Sequence, residues 1–271
     1  MLFLNKSTMF KKLFKLGGTV SDSLSTTVGV LGFIVLTAIW YFITTQTGWV
    51  KPQTIPSPDS VLFSFSELYS NDNLIGNIGY SLYLNFAGYA KALLFSIPIG
   101  FLIALIPFLR SMFSKYIDAL RYVPLTGLIG VFIAWFGIES AMKVNFLAFG
   151  IIVYLLPIVV QRVYETERIH LDTVYTLGAS SWQTFTKIYW PSVISKLSAD
   201  IRVITAISWT YIIVAEMANN EGGLGGLIYL CAKQSRLDKI FAIILLIIGI
   251  GFLQDILFKW LDKKFFKFKH V

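Results

Sequence analysis

The chain has 271 residues, of which 56% are hydrophobic and only 14% carry a formal charge. A soluble globular domain contains roughly 25% charged residues, so this composition excludes an ordinary soluble domain and indicates a membrane protein. The single cysteine, Cys231, excludes an intrachain disulfide and a cysteine cluster for metal binding. The net charge of +8 does not indicate nucleic-acid binding, because much of it lies in short loops and at the two chain ends, where membrane topology uses it.

Apolar runs of about 20 residues, the length that crosses a bilayer as a helix, predict an all-α polytopic membrane protein. We predict six spans, at residues 28–45, 79–109, 120–138, 144–161, 197–217 and 240–260. Pro98 and Pro107 fall inside the second of these and are expected to kink it. Between the first two spans, residues 46–78 are predicted to contain a short amphipathic helix on the membrane surface.

The distribution of basic residues predicts the orientation. The six spans place sixteen Lys and Arg residues on one side and five on the other. Because cytoplasmic loops carry the excess of Lys and Arg, both termini are predicted to be cytoplasmic. We divide the chain into residues 1–78, with an N-terminal tail, the first span and the external segment, and residues 79–271, a core that includes the cytoplasmic segment 163–195.

The cytoplasmic segment 163–195 has the pattern of a helical hairpin. Apolar residues recur at helical spacing on both sides of Gly178, which suits a helix C-terminus; they are Leu171, Val174 and Leu177, then Trp182, Phe185 and Ile188. Ser180 and Gln183 form a capping-box pattern, and Pro191 is expected to end the second helix before the fifth span. Pattern alone leaves two interpretations open: a surface hairpin on lipid or on this chain's own spans, or a docking element that enters a groove of another protein.

The residues from Asp172 to Ser180, followed by Phe185, Ile188 and Pro191, resemble the "EAA" loop of permease subunits in binding-protein-dependent ATP-driven (ABC) importers. The chain departs from that pattern at Asp172, Thr173, Val174 and Trp190. Three further segments are similar to the nitrate/sulfonate/taurine branch of these permeases; they are residues 55–58, residues 118–124 with 135–138, and residues 214–216 with 222–225. The second segment departs from the branch at residues 125–127, where a second proline is usual.

The resemblance implies a type I ABC importer permease in the bacterial inner membrane, surrounded by lipid. It implies a pair of permease subunits, usually a homodimer, two ATPase subunits and an external solute-binding protein. The chain has no G-x-x-x-x-G-K-[ST] loop, so ATP and Mg²⁺ are expected in the partner ATPase, with no cofactor and no enzyme activity in this chain. The residues expected to dock the ATPase are Asp172, Thr173, Gly178, Ala179, Ser180, Trp182, Phe185 and Pro191.

Three residues of the fifth span are candidates for the translocation path: Arg202, Trp209 and Glu216. Each also has a simpler interpretation. Arg202 can pair with a neighbour such as Asp200, Trp209 can pack between helices, and Glu216 can be a helix-end charge at the interface. The glycines after Glu216 are compatible with a flexible external gate or with a plain turn.

Two other classes of protein compete with the importer permease. An ion-coupled secondary carrier that works without ATP usually shows more spans and inverted repeats. A membrane enzyme would need a catalytic cluster, and the sequence shows no metal-ligand spacing and no G-x-S-x-G turn. The resemblance implies that the solute is small, and we expect a small anion such as nitrate, a sulfonate or taurine.

Overall fold

The computed structural model describes residues 16, 18, 21–47, 49–51, 54–166, 168–219 and 222–266. All regular secondary structure in these residues is helical, which confirms the all-α prediction. The helices are α1 Asp22–Thr45, α2 Pro58–Asn71, α3 Leu74–Leu105, α4 Pro107–Ala119, α5 Ile129–Phe136, α6 Ser140–Tyr164, α7 Arg168–Thr176, α8 Ser181–Thr184, α9 Trp190–Asn219, α10 Gly223–Lys233 and α11 Leu237–Phe265. The predicted basic tail at residues 1–15 and the last residues, 267–271, lie outside the described residues.

The chain forms two compact units, residues 1–63 and residues 64–271. The first unit contains α1, and in it the indole Nε1 of Trp40 donates a hydrogen bond of 3.0 Å to the carbonyl oxygen of Pro56. The amphipathic helix predicted between the first two spans is present as α2. Its position on a membrane surface, and the division of the chain at residue 78, stay predictions.

Five helices in the described residues are long and apolar enough to cross a membrane: α1, α3, α6, the segment Ser181–Ala218 that includes α8 and α9, and α11. A sixth crossing results if the segments Pro107–Tyr122 and Leu125–Phe136 count as one, but they meet at 92°. The prediction of a continuous third span at residues 120–138 is therefore wrong. Pro124 lies at the break with a ψ of 92°, outside the helical region, and short 3₁₀ turns lie on both sides of it.

The second predicted span also ends earlier than expected. Ile106 is extended, with φ −94° and ψ 111°, and Pro107 is the first residue of α4. A proline disfavours helical geometry in the residue before it, and it is well suited to the first position of a new helix. Pro107 therefore separates α3 from α4 instead of kinking one long helix, whereas Pro98 does lie inside α3.

Helix α6 is the centre of the second unit. It packs most extensively against α3, and next against α9. Its inward side chains are fully buried, among them Met142, Phe146, Leu147, Ile151 and Leu155. Glycines allow the close approach of α3: a Cβ on Gly100 would lie 2.5 Å from Cγ1 of Val159, which no real packing tolerates. Small residues at such contacts let helix backbones approach closely in membranes.

The second unit has two ends. At one, α6 and α9 are joined by the segment that contains the predicted hairpin. At the other, which we call the far end, residues 72–80, 137–143, 217–219 and 222–239 lie close together. The phenol oxygen of Tyr80 lies 2.8 Å from Oγ of Ser140 there, and Gly223 N donates to Oδ1 of Asn77 at 2.7 Å.

The substitution Gly100→Ala tests the contact between α3 and α6. The added methyl group collides with Val159, so we expect overpacking to cost about 1–3 kcal/mol of unfolding free energy. The measurement is the thermal unfolding midpoint in detergent, and we expect it to fall by several degrees. Gly249→Ala is the matched control, because a Cβ at Gly249 of α11 meets nothing within 4 Å. Equal midpoints for the two variants would contradict the packing.

Candidate functional site

The predicted hairpin is present between α6 and α9. Helix α7 ends at Thr176, and Gly178 follows in the left-handed region with φ +74°. Ala179 N donates 3.0 Å to the carbonyl oxygen of Val174, and Gly178 N donates 3.0 Å to that of Tyr175. These bonds close the helix end in the way a glycine after the last turn permits. The turn at residues 177–180 thereby separates α7 from α8.

The second arm of the hairpin begins with the predicted capping box. Ser180 N donates 2.8 Å to Oε1 of Gln183, and Gln183 N donates 3.3 Å to Oγ of Ser180. Two backbone N–H groups that a helix start leaves unpaired are satisfied in this way. The local sequence therefore fixes both the turn and the start of α8.

The second arm runs without interruption into the membrane-spanning helix. After α8 the chain forms a π-helical turn, Phe185–Tyr189, and α9 begins at Trp190. The prediction that Pro191 ends the second helix is wrong. Pro191 lies inside the continuous segment, where it removes one backbone N–H donor, and the wider π turn Phe185–Tyr189 lies directly before it. The second arm of the hairpin and the span thus form one continuous helical segment, Ser181–Ala218.

A cluster of charges holds the base of the hairpin. The guanidinium of Arg162, at the end of α6, donates to both carboxylate oxygens of Asp200 on α9 at 2.7 and 2.8 Å. It also pairs with Glu165 at 2.5 Å, and Lys196 Nζ donates 2.9 Å to the backbone oxygen of Glu165. The hydrogen bond from Arg162 lowers the pKa of the Glu165 carboxyl, so this group stays ionised at neutral pH. The end of α6 and the first part of α9, which flank the hairpin in sequence, are therefore joined by these ion pairs and hydrogen bonds.

The hairpin residues divide into an exposed set and a packed set. The exposed apolar side chains are Leu177 at 79%, Trp182 at 72% and Tyr175 at 57% of full exposure. Phe185 instead packs on this chain, with its ring centroid 5.3 Å from that of Phe101 on α3. Of the predicted docking residues, Asp172, Thr173, Gly178, Ser180 and Trp182 are exposed, and Ala179, Phe185 and Pro191 are half-buried.

The candidate path residues have partners within the chain. Arg202 pairs with Asp255 of α11 at 3.2 Å. The expected pairing of Arg202 with Asp200 is wrong, because Asp200 pairs with Arg162. The indole Nε1 of Trp209, which is buried, donates 2.6 Å to Oε1 of Gln254. Both contacts join α9 to α11. An assignment of Arg202 and Trp209 to the translocation path stays a prediction.

Glu216, the third candidate, is fully buried at the far end. Its carboxylate bonds to Ser81 of α3 and to the backbone of α10. Sequence reasoning left Glu216 open as a translocation-path residue or as a helix-end charge at the interface, and it missed these contacts. Ser81 lies 135 residues from Glu216 in sequence, and Gly225 belongs to the next helix, so helical spacing within α9 gives no signal for either contact. The assignment of Glu216 to the path stays a prediction.

Sequence reasoning also missed a charge cluster at the far end. Arg236, before α11, pairs with Glu67 of α2 and with Asp238, each at 2.8 Å. Lys239 is buried and pairs with Asp72 at 2.7 Å. The hydrogen bond from Arg236 lowers the pKa of the Glu67 carboxyl, which lies outside the spanning helices. The acidic residues Glu67 and Asp72 and the basic residues Arg236 and Lys239 were the available signal.

The substitution Asp200→Asn tests the clamp at the hairpin base. It removes a charged partner from a half-buried guanidinium, so we expect a loss of about 1–3 kcal/mol of unfolding free energy. Asp118→Asn is the control, because Asp118 is 74% exposed and lies 3.6 Å from Arg121. Exposed pairs contribute about 0–1 kcal/mol, so this control should unfold near the wild-type midpoint. Equal losses in the two variants would show that the clamp does not hold the hairpin.

Comparison with known proteins agrees with this architecture. Residues 96–267 match the family described as "Binding-protein-dependent transport system inner membrane component". A protein of Bacillus subtilis assigned to aliphatic sulfonate transport as a permease is 25% identical over 246 residues, which are 89% of this chain and 87% of that protein. The taurine transport system permease protein of Escherichia coli is 23% identical over 90% of each chain. The formylaminopyrimidine transport permease protein of Halalkalibacterium halodurans is 26% identical over 86% of this chain and 96% of that one.

Solved structures show the same fold. The MetNI methionine ABC transporter in inward-facing conformations matches with a TM-score of 0.63 and 16% identity, over 70% of this chain and 95% of that chain. An amino acid ABC transporter crystallised with histidines matches with a TM-score of 0.54 and 18% identity, over 74% and 96%. These matches confirm the type I importer permease fold, and the relatives confirm the resemblance to the sulfonate and taurine branch. The family model covers more than half of the chain, and the chain therefore belongs to the binding-protein-dependent transport system inner membrane component family, the permeases of ABC importers.

Proposed function

We propose that two copies of this permease form the translocation path of an ABC importer, and that the hairpin of each copy docks one ATPase subunit. The observation that carries the proposal is the exposed apolar surface of Tyr175, Leu177 and Trp182, at the tip of a hairpin that is continuous with α9. The solute reaches the path from an external binding protein.

The exposed tip suits a groove in a protein partner. Large apolar side chains exposed on a helical hairpin suit a groove in a partner, and buried Trp residues often dominate such interfaces. The chain lacks a phosphate-binding loop, so the energy source belongs to another subunit, which holds ATP and Mg²⁺. Among the predicted docking residues, Trp182 contributes contact area, whereas Gly178 and Ser180 shape the turn.

The excess of basic residues supports a cytoplasmic position for the hairpin. Arg162 and Lys196 lie at the hairpin ends of α6 and α9, and the guanidinium of Arg110 lies 4.9 Å from the ring centroid of Tyr164 at the end of α6. This distribution follows the positive-inside rule, so both termini are proposed to be cytoplasmic and the far end external.

The continuous helix supports a mechanism for coupling. Closure of the ATPase pair on ATP would displace the hairpin tip, and the clamp from Arg162 to Asp200 would carry this displacement into α6 and α9 together. Because packed helices move as rigid bodies, the spans would reorient and change access to the path. A path along α9, past Arg202 and Trp209, is part of this proposal.

Small organic sulfonates, with taurine among them, are the proposed solute class. The support is the similarity to the sulfonate and taurine permeases, each over nearly the whole chain. The relative named for formylaminopyrimidine transport defines the competing class.

A strain that lacks its own sulfonate importers, supplied with this permease and its neighbouring ATPase and binding protein, should grow on taurine as sole sulfur source. Growth only when formylaminopyrimidine is the required nutrient would contradict the sulfonate assignment.

The double substitution Leu177→Ala with Trp182→Ala tests ATPase docking. We expect the tagged wild-type chain, purified in mild detergent, to retain a subunit that mass spectrometry identifies by its G-x-x-x-x-G-K-[ST] sequence. Loss of one central interface Trp costs about 2 kcal/mol, so we expect binding to weaken at least ~30-fold in the double variant.

The matched control is Leu94→Ala with Trp49→Ala. Leu94 and Trp49 are as exposed as the hairpin pair, at 78% and 83%, and lie outside the hairpin. This control should retain the ATPase. Retention of the ATPase by a folded hairpin variant would contradict the docking proposal, and transport without ATP would favour an ion-coupled carrier.

A further inference from the structure

Helix α10 begins at a residue that cannot cap it. Gly222 precedes the helix and has no side chain, although the first N–H groups of any helix lack partners within it. Here the partners come from α3. Gly223 N donates 2.7 Å to Oδ1 of Asn77, and Leu224 N donates 2.9 Å to Oγ of Ser81. The start of α10 is therefore capped by another helix instead of by its own sequence.

Glu216 of α9 completes this cap. Gly225 N donates 2.7 Å to Oε2 of Glu216, and Ser81 Oγ donates 2.6 Å to Oε1. The carboxylate is fully buried, and a negative charge at a helix N-terminus is stabilised by the helix dipole. Lys143 of α6, also fully buried, interacts electrostatically with Glu216 and lies 5.1 Å from the ring centroid of Tyr80. A buried carboxylate persists only with such partners.

The glycines of α10 fit against this carboxylate. A Cβ on Gly225 would lie 2.8 Å from Cβ of Glu216, and one on Gly223 would overlap the carboxyl group. Gly223, Gly225 and Gly226 are buried. The glycine run therefore allows α10 to lie directly on α9, which is a more specific role than a flexible loop.

We propose that Glu216 is a positioning residue that fixes α10 to α9 and so carries hairpin movement to the far end of the permease. The same helical segment, Ser181–Ala218, contains the second arm of the hairpin near one end and Glu216 near the other. Ser81 and Asn77 bring α3 into the same contact. This inference rests on the proposed function, because it assigns the far-end response to ATPase closure.

The substitution Glu216→Gln tests the inference with little change in shape. The amide nitrogen of Gln is a donor and cannot accept from Gly225 N while its oxygen accepts from Ser81. The chain is purified with its ATPase subunits in lipid nanodiscs, and hydrogen exchange is measured by mass spectrometry without nucleotide and with ATP and vanadate. We expect the first α10 amides to exchange about tenfold or more faster in the variant.

The nucleotide response separates positioning from a merely structural role. In the wild type we expect exchange in both the hairpin and α10 to change on vanadate trapping. In Glu216→Gln the hairpin should keep its change and α10 should lose it. An α10 response of wild-type size in the variant would overturn the proposal. Glu139→Gln is the matched control, since Glu139 is an exposed carboxylate at the same end, and its complex should behave as the wild type.

A second variant covers the case in which Glu216→Gln does not assemble. Ser81→Ala removes the acceptor of Leu224 N and a donor to Glu216, and leaves the carboxylate bonded to Gly225. We expect faster exchange at the start of α10 and a reduced nucleotide response, and wild-type behaviour would overturn the proposal.

If the wild-type chain binds no ATPase, the proposed function fails. Unchanged α10 exchange in Glu216→Gln of the isolated chain would then show separately that the cap does not hold.

Discussion

The continuity of one helical segment, Ser181–Ala218, is the constraint on which the rest of the structure depends. Its 38 residues span about 57 Å at 1.5 Å per residue, well beyond a hydrocarbon core of about 30 Å. A spanning helix of this length must extend past the bilayer on at least one side. The hairpin turn at Gly178 is built on that extension, and the wide turn Phe185–Tyr189 joins it to the span without a break. A force on the hairpin therefore acts on the span directly.

Contacts along this segment differ in chemistry from one end to the other. At the hairpin base, Arg162 and Asp200 form a half-buried ion pair that water still reaches. Further along, Trp209 donates to Gln254 of α11, which satisfies polar groups that lipid cannot. At the far end, Glu216 is fully buried and bonds to the start of α10. Helix α9 thus contacts α6, α11 and α10 in turn along its length. A movement of α9 therefore acts on all three helices.

The sequence predicted those features whose signals are local. The capping box of Ser180 and the glycine turn at Gly178 depend on residues within a few positions, and both are confirmed. Predictions failed where a proline has two compatible roles: Pro107 separates two helices, whereas Pro191 lies inside a continuous one. Glu216 was recognised as a candidate, but its partners come from other helices, and no periodicity within one helix encodes such contacts.

The central claim is that the exposed hairpin tip belongs in a groove of an ATPase subunit and that α9 responds to it. A cryo-electron microscopy structure of the permease with its co-purified ATPase in lipid tests this most directly. The account predicts Leu177 and Trp182 buried in the ATPase, with the segment from the hairpin to α9 still continuous. A hairpin tip in contact only with lipid or with a second permease copy would contradict it.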